Sequence, residues 1–192
     1  MAKPLLSSDT IFDEALRILA EQGAAGLTIR TLATQLRCSN STLYQQVGSV
    51  EQLTRGVVAH AFSRLEIAFD DDAVWEIAVQ SWCLALRGAL LAQPELCKLM
   101  TVADRGVVID YAERLLVVLE RDGFSRARAI EIGGILAHVT LSMSLSDIAA
   151  PGEWDDPRVF ATTVRWLIHG MALTRAEELL GGARSDPPAT TR

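Results

Sequence analysis

A chain of 192 residues, 49% of them hydrophobic and with a net charge of −6, is long enough to bury a sizeable core. Its acidic balance and pI near 5.1 exclude a protein that coats nucleic acid along its length, and leave a localised contact surface as the route to any polyanion. Cys38, Cys83 and Cys97 are odd in number and lack metal-ligand spacing, which argues against a disulfide framework and for reduced thiols in a cytosolic protein with no bound metal or other cofactor.

The opening residues MAKPLLSSD lack the long apolar region of a signal peptide, and no stretch reaches the ~20 apolar residues of a membrane span. The expectation is a soluble, cytoplasmic protein with no membrane partner. IFDEALRILAEQG then reads as a helix ending near Gly23, with Asp9, Asp13 and Glu14 as dipole-complementing groups on a solvated face. Thr28 opens the next helix, because its hydroxyl can accept from the free N–H groups of the first turn while Leu27 folds back on Leu32. Ile29, Leu32, Ala33 and Leu36 form one apolar stripe of that helix. After a tight turn at Arg37 and Cys38, Ser39 caps a second short helix whose Leu43 and Val47 face inward. Its other side carries Asn40, Ser41, Thr42, Tyr44, Gln45 and Gln46, uncharged hydrogen-bonding groups of the kind that read base edges or hold phosphates. Ser49 and Gln52 form a capping box that opens a longer helix at about Val50.

A helix ending near Gly23, then LTIRTLATQL, S-x-S-T-LY and a GS-x-EQL helix start together make residues 10–60 resemble the DNA-binding domain of the TetR family of bacterial transcription regulators. The resemblance implies an all-α homodimer of about nine helices, with a helix-turn-helix three-helix domain at residues 8–49 and a helical ligand-binding and dimerisation domain at residues 50–181. It implies double-stranded operator DNA as a partner, met through Thr28, Arg30, Arg37, Ser39, Asn40, Ser41, Thr42, Tyr44, Gln45 and Gln46. The chain departs from the family pattern at Arg37, where the family usually has Gly, so a positive φ there would be strained. It departs also at Tyr44-Gln45-Gln46-Val47, in place of Y-x-H-F, and at Val50, in place of a Lys. Residues 1–56 carry five basic side chains (Lys3, Arg17, Arg30, Arg37, Arg55) and five acidic ones (Asp9, Asp13, Glu14, Glu21, Glu51), a net of zero. That footprint is weak for a DNA binder.

The helix from Val50 is expected to run to about Phe69 as an interdomain connector, broken by Asp70-Asp71-Asp72. Another begins at Ala73 and stops ahead of Pro94. Residues 94–102 and 106–120 follow as helices, with Gly123 as C-cap of the second. The tail at 182–192 is small, polar and proline-containing, and reads as disordered. The two long helices at 125–149 and 157–180 have apolar residues around much of their circumference, so each is expected to bury a second face in a twofold four-helix interface between two copies. Gly133, Gly134 and Gly170 would permit close helix approach. A small-molecule effector, apolar or aromatic, is expected among helices 73–149, with Trp75, Trp82, Met100, Tyr111, His138 and Met143 as candidate lining. The simpler reading of the Trp and Met side chains is plain core, of His138 a core histidine in an apolar stretch, and of Thr140, Ser142, Ser144 and Ser146 back-bonding to their own helix.

His60, His138 and His169 lie on three different helices, and no HExxH, GxSxG, P-loop or dinucleotide-binding pattern is present, so no catalytic residue is assigned. The function expected is a ligand-released repressor acting as a homodimer on a palindromic operator. The alternative is a helical small-molecule- or protein-binding dimer whose specific DNA contact is weak or lost.

Overall fold

The computed structural model describes residues 6–64, 68–100, 112–152 and 156–182, and among them the chain forms nine α-helices, one 3-10 turn and no strand. The first cluster contains α1 (Ser8–Gln22), a 3-10 turn (Ala24–Gly26), α2 (Ile29–Gln35), α3 (Asn40–Val47) and α4 (Val50–Ser63). All four helices start on a hydroxyl. Ser7, Thr28, Ser39 and Ser49 each accept the N–H three residues on, at 3.0–3.1 Å, and each such cap contributes about 1 kcal/mol. The Ser49 N–H donates back to Gln52 Oε1 at 2.8 Å, which closes the expected capping box. α1 packs on α2 and α4, α2 on α3, and α3 on α4. Their apolar stripes meet around Ile11, Ile18, Leu32, Leu43, Leu53 and Phe62, all essentially without solvent contact. Burial of that kind gives about 1.5–3 kcal/mol per side chain, which is what holds helices as short as α2 and α3.

The second cluster is centred on α5 (Trp75–Leu91), which packs on α7 (Glu113–Arg121), α8 (Arg126–Ala149) and α9 (Pro157–Gly182) over Trp82, Leu86, Leu115, Leu119, Leu136 and Phe160. The one-turn α6 (Pro94–Cys97) starts on its proline and touches α1, α5 and α8, so it bridges the two clusters. α8 is, against expectation, long and apolar enough to cross a membrane by length and composition. Its most apolar window has a mean hydropathy of 1.3, but 44% of it is buried inside the fold, where it serves as a core helix.

Several boundaries differ from expectation because long-range contacts decide them. α4 ends at Ser63 rather than about Phe69: the Ser63 hydroxyl donates to the His60 carbonyl, and the Arg64 guanidinium is held by Asp13 of α1 at 2.5 Å. α5 begins at Trp75 rather than Ala73. The Trp75 N–H donates to Asp122 Oδ2 at 2.7 Å, and Arg121 donates to the carbonyls of Asp71 and Ala73, so the end of α7 holds the bent segment before α5 out of the helix. α6 stops at Cys97, short of the expected 102. Gly123, with φ +94°, follows the end of α7 as foreseen. The early part of the 106–120 helix, Tyr111, and residues 183–192 of the expected tail lie outside the described residues. Asp13 and Glu14 are not free groups on a solvated face. Glu14 pairs with Arg17 at 2.5 Å, and Asp13 joins α1 to α4 through Arg64 and through His60 Nε2 at 2.8 Å.

Candidate nucleic-acid interface and effector domain

The turn between α2 and α3 sets the angle at which α3 projects. Arg37 has φ +52°, the only positive φ of a non-glycine residue among those described. The Cys38 N–H donates to the Ala33 carbonyl at 2.9 Å and the Arg37 N–H to the Thr34 carbonyl at 3.2 Å, the paired bonds of a Schellman turn. A side chain at the left-handed position costs roughly 1–2 kcal/mol. The expected strain is therefore present.

α3 lies on Leu43, and its far side presents Asn40, Ser41, Tyr44 and Gln45 to solvent, Tyr44 at 47% exposure. Thr28, Arg30, Arg37 and Ser39 are exposed beside them. Thr28, Ser39 and Thr42 are committed locally: the Thr28 and Ser39 hydroxyls cap their helices and share bonds of 2.8 Å with the Thr31 and Thr42 hydroxyls. Gln46 departs from the expected outward set. Its amide nitrogen donates to the Leu6 carbonyl at 3.0 Å, and its Oε1 is buried without a hydrogen-bond partner, so it fastens the chain ahead of α1 to α3. Among the basic groups, Arg17 is held by Glu14 and Glu21, hydrogen bonds that raise its pKa further. Arg30, Arg37 and Arg55 remain at the surface. Val50 is 51% exposed where a phosphate-binding lysine would stand.

In the second cluster the described effector candidates differ in burial. Trp75 is buried edge-on against Phe124, with ring centroids 5.2 Å apart. Trp82 is fully buried and its Nε1 has no hydrogen-bond partner. Met100 and Met143 are half-buried against the core. His138 is exposed rather than a core histidine, because it falls on the outward side of α8. Ser144 does bond back to the Thr140 carbonyl, at 2.7 Å. A 260 Å³ groove instead runs between α8 and α9, lined by Phe124, Ile132, Ile135, Trp166, Gly170 and Met171 among others, and includes none of the candidates.

One buried polar pair escaped the sequence reading. Arg87 Nη1 of α5 lies 2.5 Å from Asp147 Oδ2 of α8, both side chains under 10% exposed, and the guanidinium lies 4.7 Å from the centroid of the Phe160 ring. The signal was a single arginine and a single aspartate in otherwise apolar stretches, since a buried charge requires its partner. Burial pushes the Cys83 thiol up to about 12, against the opposing hydrogen bond of Thr140, and pushes Cys97 up to about 11. Both are inert thiols. Among the described residues no group of three His, Cys, Asp or Glu is placed to hold a metal.

No family model matches the chain. A helix-turn-helix-type transcriptional regulator of Saccharopolyspora erythraea is 22% identical over 154 residues, 79% of this chain and 64% of the relative's length. The class E tetracycline repressor protein of Escherichia coli is 29% identical over 149 residues, 75% of this chain and 70% of that protein. The chain thus spans just under two thirds of the first of these relatives. Among solved structures, the Streptomyces coelicolor TetR family protein ActR, in complex with (S)-DNPA, superposes with a TM-score of 0.73 at 20% identity, covering 90% of this chain and all of that one. BioQ with its double-stranded DNA operator gives 0.71 at 23%, covering 88% and 99%. In sequence and in fold the chain is similar to TetR-family proteins.

Proposed function

We propose that this TetR-like protein is a homodimeric, DNA-binding transcription regulator of the cytoplasm, a repressor released from a palindromic operator when a small molecule occupies its second domain. It acts by binding, with no catalytic step. The observation that carries this reading is α3. A helix of eight residues, capped by Ser39 and aimed by the strained Arg37 turn, offers Asn40, Ser41, Tyr44 and Gln45 outward from a rigid three-helix core. Such amide and hydroxyl groups can pair with base edges in a major groove, with Arg30 and Arg37 at flanking phosphates. The E. coli relative is named as a repressor, and the neighbours include one bound to operator DNA and one bound to a small molecule.

Release follows from differential binding. An effector that fits one arrangement of the second cluster shifts the population toward it. α4, continuous with the first core, and α6, in contact with α1, are the two routes by which that arrangement reaches α3. Footprinting of the DNA upstream of the gene tests the proposal. Two protected half-sites, centred about one helical turn apart (~34–36 Å), are expected for a dimer. The exposed Val50 and the neutral first domain favour a second reading, a helical ligand- or partner-binding dimer with weak DNA contact, for which no protected half-sites would be seen.

A further inference from the structure

The two long helices leave an uncovered apolar face. α9 turns Val159, Trp166, Gly170 and Leu173 away from the core, with Trp166 at 71% and Leu173 at 66% exposure, and α8 adds the exposed Ile135 beside Trp166 and Gly170. The α9 stripe carries no charge, as the centre of a protein interface requires. Its glycines divide into two uses. A side chain at Gly133 would lie 2.8 Å from Leu116 Cδ2, so that glycine serves the approach of α7 to α8 within the subunit. A side chain at Gly170 would meet open space. Gly170 lies one turn beyond Trp166, and both line the 260 Å³ groove.

The groove is smaller than the ~300–1,000 Å³ of most small-molecule pockets and suits one large side chain. Its rim charges are engaged within the subunit: Arg128 pairs with Glu131 at 2.6 Å, and Arg175 donates to the Asp122 carbonyl and lies over the Phe124 ring. An ionised effector is therefore not what it awaits. A knob and a hollow one turn apart on one helix form a self-complementary pair, because in a twofold contact residue i meets j while j meets i.

We propose that two copies lock through antiparallel α9 helices, Trp166 of the partner subunit seating over Gly170 and Trp166 seating over the partner's Gly170. The proposal rests on the dimeric reading above and gives it a register. With 166 opposite 170, Thr163 meets the partner's Leu173, and the seam between them stays uncharged. Two indoles buried near the twofold axis would be the anchors of the interface.

The test is the self-association of the purified full-length chain, followed by sedimentation equilibrium with far-ultraviolet circular dichroism as the control for folding. Gly170→Trp fills the hollow, Trp166→Ala removes the knob, and the exchange Trp166→Gly/Gly170→Trp restores one knob and one hollow per contact. The wild type should be dimeric, each single variant should associate roughly 30-fold more weakly, and the exchange should recover much of that loss. A dimeric wild type whose Gly170→Trp variant associates as tightly, or an exchange variant no tighter than the weaker single one, overturns the α9 lock and leaves the dimer itself standing. A monomeric wild type overturns both. Should Gly170→Trp lose helix content, Trp166→Ala decides alone: undiminished association overturns the lock, and roughly 30-fold weakening upholds it.

Discussion

Glu95 of α6 accepts the backbone N–H of Ala24 at 2.9 Å, a bond between the second cluster and the turn that leads from α1 into the helix-turn-helix. Lys98 holds the other carboxylate oxygen. The latch carries the position of α6 directly to the start of the proposed DNA-binding helices.

The Lys98 hydrogen bond, and then the Ala24 N–H, keep the Glu95 pKa below its ordinary 4.5. A carboxylate with a depressed pKa contributes stability that is present above the ordinary value and is lost as pH falls through the folded one. Amide-exchange protection at Ala24 should therefore hold at neutral pH and disappear below 4.5. In Glu95→Ala, protection should be low at every pH, and effector-induced release from DNA should be blunted. Wild-type exchange and wild-type release in that variant would assign the coupling to α4 alone.

Arg37 stores strain at the turn. Arg37→Gly removes the left-handed penalty and should raise stability by about 1 kcal/mol, read as a higher Tm. If the guanidinium also meets a phosphate, the same variant should bind all DNA sequences more weakly and with a shallower salt dependence. A lower Tm would mean that other contacts of the Arg37 side chain outweigh its backbone strain.

The Arg87–Asp147 pair makes a prediction about asymmetry. Asp147→Ala leaves a buried guanidinium without its counter-charge and should destabilise the fold by about 3–5 kcal/mol, while Arg87→Met with Asp147→Leu should cost far less. Denaturant unfolding of the two variants checks this, and equal losses would show that packing rather than charge sets the cost.

Tyr44 and Gln46 lie two positions apart and should behave differently. Tyr44→Ala should reduce operator affinity by roughly 1–3 kcal/mol and relax sequence choice, as the loss of a base contact does. Gln46→Ala frees the chain at Leu6 and should weaken specific and scrambled DNA alike. Titration of both variants against both duplexes separates the roles.

What was legible in the sequence was local. Thr28, Ser39 and the Ser49–Gln52 box act within four residues, and Arg37 betrayed its strain by standing where glycine is usual. The outward apolar face of α8 and α9 was legible too, since periodicity alone shows a helix greasy on two sides. What escaped was set by partners distant in the chain. α4 stops early because Asp13 holds Arg64, α5 starts late because Arg121 and Asp122 hold the strand of chain before it, and Gln46 turns inward to a carbonyl 40 positions away. His138 looked buried because its neighbours in sequence are apolar, although its own angle on α8 faces out. The groove between α8 and α9 depends on how two helices far apart in sequence lean together, which no single helical pattern encodes.

The central claim is that α3 reads a particular duplex, and binding of the purified chain to labelled DNA from just upstream of its gene, across a salt series and with scrambled duplex as competitor, tests it most directly. Tight binding that weakens steeply with salt and that scrambled DNA does not displace is the expected result. Binding equal for the two duplexes at every salt concentration would contradict it.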